Sequence, residues 1–241
     1  MLCIFICRLY VSVKSDYKAS EEAVYTILGY DLEGNKEILG LWMGASESKN
    51  YWMQVFDEIK SRGVEEVFFI SMDGVSGLEE GAKAIFPGVV VQRCIVHMIR
   101  NSIKYIPSKD YKKYTSDLKK VYGAPSLNAA RTNFEVFKNN WKDYPGAVRV
   151  WESNFLHVEQ LFDYGSAVRK IMYTTNSIEL VNSSLRKVTK KGSFPNETAV
   201  FKALTKKWGN GHISNWSMVL NQLLVNDKFK DRIDMCLNTK F

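Results

Sequence analysis

Hydrophobic and polar positions divide the chain into a strand-rich start and a helical remainder. Apolar, β-branched runs predict five strands, at 4–13, 24–30, 37–43, 67–70 and 89–91. Helical spacing predicts helices at 49–62 and 78–86, and the polar stretch 31–35 predicts a turn. The pattern therefore predicts an α/β (α+β) fold, with a mixed sheet and flanking helices.

The strand signal disappears between residues 99 and 170. Helical periodicity is clearest at 111–122 and at 127–141, where Ser126 is a predicted N-cap. Two further helices are predicted at 177–190 and 216–225. We therefore expect three segments: a first part of a core at 1–102, a helical insertion at 103–170, and the C-terminal helices of the core at 171–241.

Composition narrows the class of protein without identifying it. The 241 residues are 46% hydrophobic and 24% charged, which is typical of globular proteins and excludes collagen-like, coiled-coil and disulfide-scaffold classes. The apolar stretch 1–7 is too short to span a bilayer. Four scattered cysteines favour a reducing compartment. We expect a cytoplasmic protein with no membrane partner.

The positive charge is concentrated in one window. The formal net charge is +7, and residues 169–207 carry nine basic side chains against Glu179 and Glu197, so this window accounts for the whole excess. A local basic patch is typical of nucleic-acid binding, because lysines and arginines neutralise phosphates. A lysine-rich, solvated helical surface would have the same composition.

Two acids have the context of catalytic carboxylates. Asp73 follows the predicted strand 67–70, and α/β sheets bind ligands at the carboxyl ends of their strands. An Asp-Gly pair is also a common turn. On the predicted helix 177–190, Glu179 shares a polar face with Arg186 and Lys190, which suits a metal-bound phosphodiester. A capping box with Asn176, or a surface salt-bridge ladder, explains the same pattern.

Cys94 and His97 form a C-x-x-H motif, which is half of a zinc site. Structural zinc needs four ligands, commonly in two pairs, and the chain has no clear second pair. A buried thiol and a packed histidine are the simpler interpretation. The sequence also lacks a glycine-rich phosphate loop and a nucleophile elbow.

Several motifs occur in order at 29–37, 39–42, 94–102 and 173–179, and the pattern continues at 185–190, 215–216 and 220–223. Together they closely resemble Mutator-type transposases of bacterial insertion sequences. The resemblance covers about residues 10–225. It implies the ribonuclease H-like fold of DDE recombinases, with a helical insertion ahead of the last acidic residue.

The resemblance also implies a chemistry and a set of site residues. Family members cut and rejoin DNA with an Asp, Asp, Glu triad that binds two divalent ions, Mg²⁺ or Mn²⁺. Asp73 matches the second acid and Glu179 the third, while Cys94 and His97 match a motif that supports the active site. The implied partners are terminal inverted repeats, target DNA and further copies of the chain. The DNA-binding residues expected beside Glu179 are Arg186, Lys187, Lys190 and Lys191.

This chain departs from the family at the first acid. The matching position on the first strand holds Cys7, and Asp16 lies at the far end of that strand. The family's DNA-binding region is expected ahead of residue 1. We therefore expect a truncated copy, impaired in strand cleavage. The alternatives are a non-catalytic DNA-binding or regulatory remnant that associates with full-length transposase, and a ribonuclease H-like nuclease unrelated to transposition.

Overall fold

A five-stranded mixed sheet forms the amino-terminal part of the protein. The computed structural model describes residues 3–15, 18–44, 47–173, 186–187, 189, 192–205, 222, 225, 229, 231–233 and 235. The strands are β1 (Cys3–Ser15), β2 (Lys18–Tyr30), β3 (Lys36–Met43), β4 (Phe69–Met72) and β5 (Val90–Arg93). Their order across the sheet is β3-β2-β1-β4-β5. The predicted mixed α/β architecture is confirmed.

The first three strands form an antiparallel meander, and the turn predicted at 31–35 joins β2 to β3. Cys7 pairs with Thr26 and Arg8 with Tyr25 along β1 and β2. The other neighbour of β1 is parallel to it: β4 pairs through Phe69 opposite Cys3 and reaches Ser71 opposite Phe5. β4 begins two residues later than the sequence predicts, because its ladder with β1 starts at Phe69.

Helices α1 (Lys49–Ser61) and α2 (Leu78–Ile85) supply the apolar cover for one face of the sheet. Alternate residues of a strand point to the same face, so Ile4 and Ile6 of β1 enter the core that contains Trp52. Arg8 continues this alternation at the margin of the core. Ser48 caps α1 by accepting a hydrogen bond from the backbone N–H of Tyr51 at 3.2 Å.

Most of the other α-helices that the structure describes lie in the predicted helical stretch, and one lies after it. They are α3 (Ile95–Ile103), α4 (Tyr111–Tyr122), α5 (Leu127–Asn140), α6 (Pro145–Glu152), α7 (Phe155–Gln160), α8 (Ser166–Tyr173) and α9 (Glu197–Thr205). Ser126 is the N-cap of α5, as predicted, and its hydroxyl accepts a hydrogen bond from the N–H of Ala129. The predicted helices at 177–190 and 216–225 lie largely outside the described residues.

The chain divides into two compact units. The first comprises Met1–Val91 and Thr175–Trp216, and the second comprises Gln92–Thr174 and Ser217–Phe241. In the second unit, the ring of Tyr114 packs edge-on against Trp141, and the buried Trp151 indole donates a hydrogen bond to Ser102 at 3.0 Å. Over the part of the chain that the structure describes, no helix has the length and apolarity that a membrane crossing requires.

Candidate active site

Asp73 lies directly after the last residue of β4, at the carboxyl end of a strand parallel to β1. Its side chain is 16% exposed. Gly74 follows with a φ of 62°, a left-handed conformation that glycine adopts without strain, so the chain turns away from the sheet at once. The strand end therefore presents a carboxylate at its tip, where the sequence predicts it.

The side chain of Arg8 occupies the space between two carboxylates. Its Nη2 lies 3.9 Å from Oδ2 of Asp73, and its Nη1 lies 2.5 Å from Oε1 of Glu47. Glu47 directly precedes the N-cap of α1 and also accepts a hydrogen bond from the hydroxyl of Tyr25. One guanidinium thus joins β1, the residue ahead of α1 and the end of β4.

The ionisation states around Glu47 follow from this contact set. Burial works against the charged guanidinium, but the hydrogen bond and attraction of Glu47 outweigh it and raise the pKa of Arg8. Burial first, and then the Glu47 carboxylate, raise the pKa of Tyr25 far above its ordinary value. Near neutral pH, Arg8 is therefore a cation and Tyr25 is neutral. Both donate a hydrogen bond to the carboxylate of Glu47.

Cys7 lies next to Arg8 in sequence but on the opposite face of β1. It is 1% exposed and pairs with Thr26, which is fully buried. The parallel ladder of β1 with β4 ends at Phe5 opposite Ser71, and Cys7 and Asp73 each lie two residues beyond that pair. The side chain that reaches Asp73, however, is that of Arg8, on the other face of β1. The assignment of Cys7 to the position of the first acid therefore stays a prediction.

The described residues do not complete a metal site. Among them, no group of three or more His, Cys, Asp or Glu side chains is placed to hold an ion. Asp73 offers the oxygen ligand that Mg²⁺ prefers, but the cation beside it is a guanidinium, which disfavours a second positive charge. Glu179, Lys190, Lys191 and Asp16 lie outside the described residues.

The other predicted site residues belong to different parts of the chain. Cys94 is 4% exposed and is the N-cap residue of α3, and His97 lies in the first turn of that helix. Both are in the second compact unit, whereas Asp73 is in the first. Arg186 and Lys187 are helical and exposed. Their role in binding DNA stays a prediction.

Sequence reasoning missed Arg8 and Glu47. Arg8 is the only charged residue between Cys3 and Val13, and a charge within an apolar strand requires a nearby counter-ion. That signal was sufficient to single out Arg8. Glu47 gives no comparable signal, because its role depends on where the start of α1 meets the sheet.

The fold and the acid at the end of β4 define a mixed α/β protein with a carboxylate at a strand terminus. The chain matches the family model described as "Transposase, Mutator family" over residues 2–217. It therefore belongs to the Mutator family of transposases. The family expected from the sequence motifs is confirmed.

Individual relatives agree with this family. The chain is 34% identical to a "Probable transposase for insertion sequence element" of Corynebacterium diphtheriae, over 95% of the chain and 75% of the relative. It is 35% identical to the "Transposase for insertion sequence element ISRM3" of Rhizobium meliloti, over 83% of the chain and 51% of the relative. It is 27% identical to the "Transposase for insertion sequence element IS256 in transposon Tn4001" of Staphylococcus aureus. The chain thus spans about half to three quarters of these relatives' lengths.

Proposed function

We propose that this chain is the catalytic portion of a DNA transposase of the DDE type, built on a ribonuclease H-like fold. The observation that carries the proposal is Asp73 at the tip of β4, beside β1, in a chain that belongs to a transposase family. The mixed sheet followed by a long helical stretch supports the fold assignment. The proposed substrates are the ends of an insertion sequence and a target DNA, joined in a complex of several copies.

Asp73 and Glu179 are the proposed ligands for Mg²⁺ or Mn²⁺. Such ions, held by carboxylates, activate the attacking oxygen and stabilise the leaving oxygen in phosphoryl transfer. The chain's own contribution is to hold the Asp73 carboxylate at a rigid strand end. Cys94 and His97 are proposed to support the site, and Arg186, Lys187, Lys190 and Lys191 to bind the DNA backbone.

We further propose that cleavage by this chain is impaired. Cys7 stands where the family places its first acid, and a buried sulfur ligand is a poor match for a hard cation, which prefers oxygen. Arg8 adds a positive charge 3.9 Å from Asp73. These two features also favour the second candidate function, a non-catalytic DNA-binding or regulatory protein that joins full-length transposase.

Calorimetry with Mn²⁺ tests the metal assignment. Changing Cys7→Asp supplies the missing carboxylate, and we expect the affinity for Mn²⁺ to rise at least about tenfold, or about 1.4 kcal/mol. The double variant Cys7→Asp/Asp73→Asn is expected to lose that gain. Cys7→Ser is the matched control of similar size. Unchanged affinity in a folded Cys7→Asp variant would contradict the assignment of position 7.

A nicking assay tests the activity itself. The substrate is a duplex copied from the two ends of the insertion sequence that encodes the chain, with Mg²⁺ or Mn²⁺ present. We expect no nicking by the wild-type chain above the level of its Asp73→Ala variant. Nicking that Asp73→Ala abolishes would show that the chain is an active enzyme and would overturn the proposed impairment.

A further inference from the structure

One face of α4 carries four lysines. Each of them is exposed to solvent, and they are Lys112, Lys113, Lys119 and Lys120. At about 100° per residue they fall within roughly a third of the helix circumference, with Ser116 between them. The opposite side of α4 is its buried face, formed by Tyr114, Leu118 and Val121. We call the four lysines the α4 basic face.

The α4 basic face has little local compensation. Between Lys104 and Lys120 the chain has six lysines and two aspartates, a balance of +4. Asp117 contacts Lys120 at 2.8 Å, but it is only 12% exposed and also accepts a hydrogen bond from the Trp141 indole. Among the described residues, no acid forms an ion pair with Lys112, Lys113 or Lys119. The Nζ of Lys113 lies 5.8 Å from the centre of the Trp141 ring, so an aromatic face and no described carboxylate accompanies that charge.

Helix stability does not explain the position of two of these lysines. Lys112 and Lys113 lie in the first turn of α4, where the helix dipole favours acids, and that turn contains no acidic residue. Lys119 and Lys120 lie in the last turn, where the dipole favours them. The continuous lysine face thus runs against the helix dipole at its amino end.

The neighbouring helix α5 shows a different arrangement of charge. Its Arg131 pairs with Glu159 at 2.7 Å, and its Lys138 pairs with Glu135 at 2.8 Å. Cations that serve only solubility need no such segregation, because mixed signs keep a surface soluble as well. Both α4 and α5 carry a net positive charge. The cations of α5 are paired with acids, whereas three of the lysines of α4 are not paired with any acid that the structure describes.

We infer that the α4 basic face binds the phosphate backbone of duplex DNA. Lys112 and Lys119 are seven residues apart, or about 10.5 Å along the helix axis. Duplex DNA carries one charge per roughly 1.7 Å of its axis, so this length spans about six phosphates. The contact would be independent of base sequence. The inference rests on the proposed function, because it takes DNA as the partner.

The test compares two variants with the same change in net charge. The first changes all four lysines of the α4 basic face to glutamine. The matched control changes Arg131, Lys138, Lys142 and Arg149 to glutamine, within the same compact unit. Binding of the full chain to a random duplex of about 30 base pairs is followed by fluorescence anisotropy between about 50 and 200 mM salt. Thermal melts confirm that both variants are folded.

We expect the α4 variant to bind at least about 60-fold more weakly at 0.1 M salt, because each lost phosphate contact costs roughly eightfold and two or more are lost. The salt slope should fall by about 0.9 per lost contact, whereas the control should keep most of the wild-type slope. Equal weakening by both variants, or none by either, would overturn the α4 assignment alone. Failure of the wild-type chain to bind DNA would overturn the proposed function as well.

Discussion

The guanidinium of Arg8 lies 3.9 Å from the carboxylate of Asp73 and forms a closer ion pair with Glu47. Arg8 lies in the middle of β1. Glu47 lies just before α1, and Asp73 lies between β4 and α2. A charge that is only 24% exposed is retained because both carboxylates and the strand register hold it in place. Removing Arg8 should therefore change two properties: the stability of this edge of the sheet and the net charge beside Asp73.

Removing the guanidinium should destabilise the fold. In Arg8→Met, Glu47 keeps the Tyr25 hydroxyl but loses its cation, so we expect the free energy of unfolding to fall by about 1–3 kcal/mol. Urea denaturation measures this change. The control is Arg62→Met, which breaks an exposed ion pair with Glu58 at 3.4 Å and should cost less than about 1 kcal/mol. Equal losses in the two variants would mean that Arg8 acts as a surface residue.

The same substitution should make Asp73 a better ligand for a cation. Without the guanidinium, a divalent ion meets no positive charge at 3.9 Å from the carboxylate. We expect Mn²⁺ to bind Arg8→Met several-fold more tightly than the wild-type chain in calorimetric titrations. Arg8→Lys keeps the charge and should leave the affinity near the wild-type value. A gain of the same size in Arg8→Lys would exclude this electrostatic explanation.

The sequence pattern located the elements well where packing repeats with a simple period. The bounds of α4 and the Ser126 cap of α5 are as predicted, because buried residues recur on one helical face and the cap is a local signal. β2 begins six residues before the predicted strand, at Lys18. Its first residues are mostly polar and pair with the outer half of β1, so no apolar run marks them.

The candidate site was only partly predictable for a physical reason. Asp73 was found because a strand end is visible in the sequence as an apolar run followed by Asp-Gly. Its contact with Arg8 depends on the register of β1 and β4, which pairs Phe5 with Ser71. The part played by Glu47 depends on how α1 starts beside the sheet. Such long-range placement leaves no periodic signal in the chain.

Gly77 should be intolerant of a side chain. It has a φ of 71°, and a Cβ there would clash with the backbone N of Lys49. The close approach joins the start of α2 to the start of α1, and so positions the loops that hold Asp73 and Glu47. We expect Gly77→Ala to lower the free energy of unfolding by about 3 kcal/mol or more, from backbone strain and overpacking together.

Gly63 separates these two causes. It also has a positive φ, of 100°, but a Cβ there would meet nothing within 4 Å. Gly63→Ala should therefore cost only the backbone strain, about 1–2 kcal/mol. Urea denaturation of both variants gives the comparison. If the two costs were equal, the contact between Gly77 and Lys49 would contribute nothing to stability.

In the second unit, the hydrogen bond from the Trp151 indole to Ser102 should be worth more than a surface bond. Both side chains are fully buried, and the donor lies 3.0 Å from the acceptor. Ser102→Ala leaves the indole N–H without this acceptor, so we expect a loss of about 1–3 kcal/mol in urea denaturation. Ser116→Ala, on the exposed face of α4, should change stability by less than about 0.5 kcal/mol.

Alkaline pH should destabilise the protein, because buried cysteine and tyrosine side chains then ionise. Burial raises the pKa of Cys3, Tyr51 and Tyr114 to about 12 each. In the unfolded chain these groups ionise at about 8.5 for cysteine and about 10 for tyrosine. A pKa raised by folding gives stability that is complete below the unfolded value and is lost as the pH rises through the folded value. The loss should therefore begin near pH 9 and continue to about pH 12.

Tyr114→Phe isolates one contribution to this alkaline loss. The variant keeps the buried ring but has no hydroxyl to ionise, so its stability should fall less steeply than that of the wild type above about pH 10. Tyr111→Phe changes a ring that is 40% exposed in the same helix and serves as the control. Urea denaturation at about pH 8, 10 and 11 gives the slope of stability against pH for the wild type and for each of the two variants. Parallel curves for wild type and Tyr114→Phe would show that ionisation of Tyr114 does not contribute.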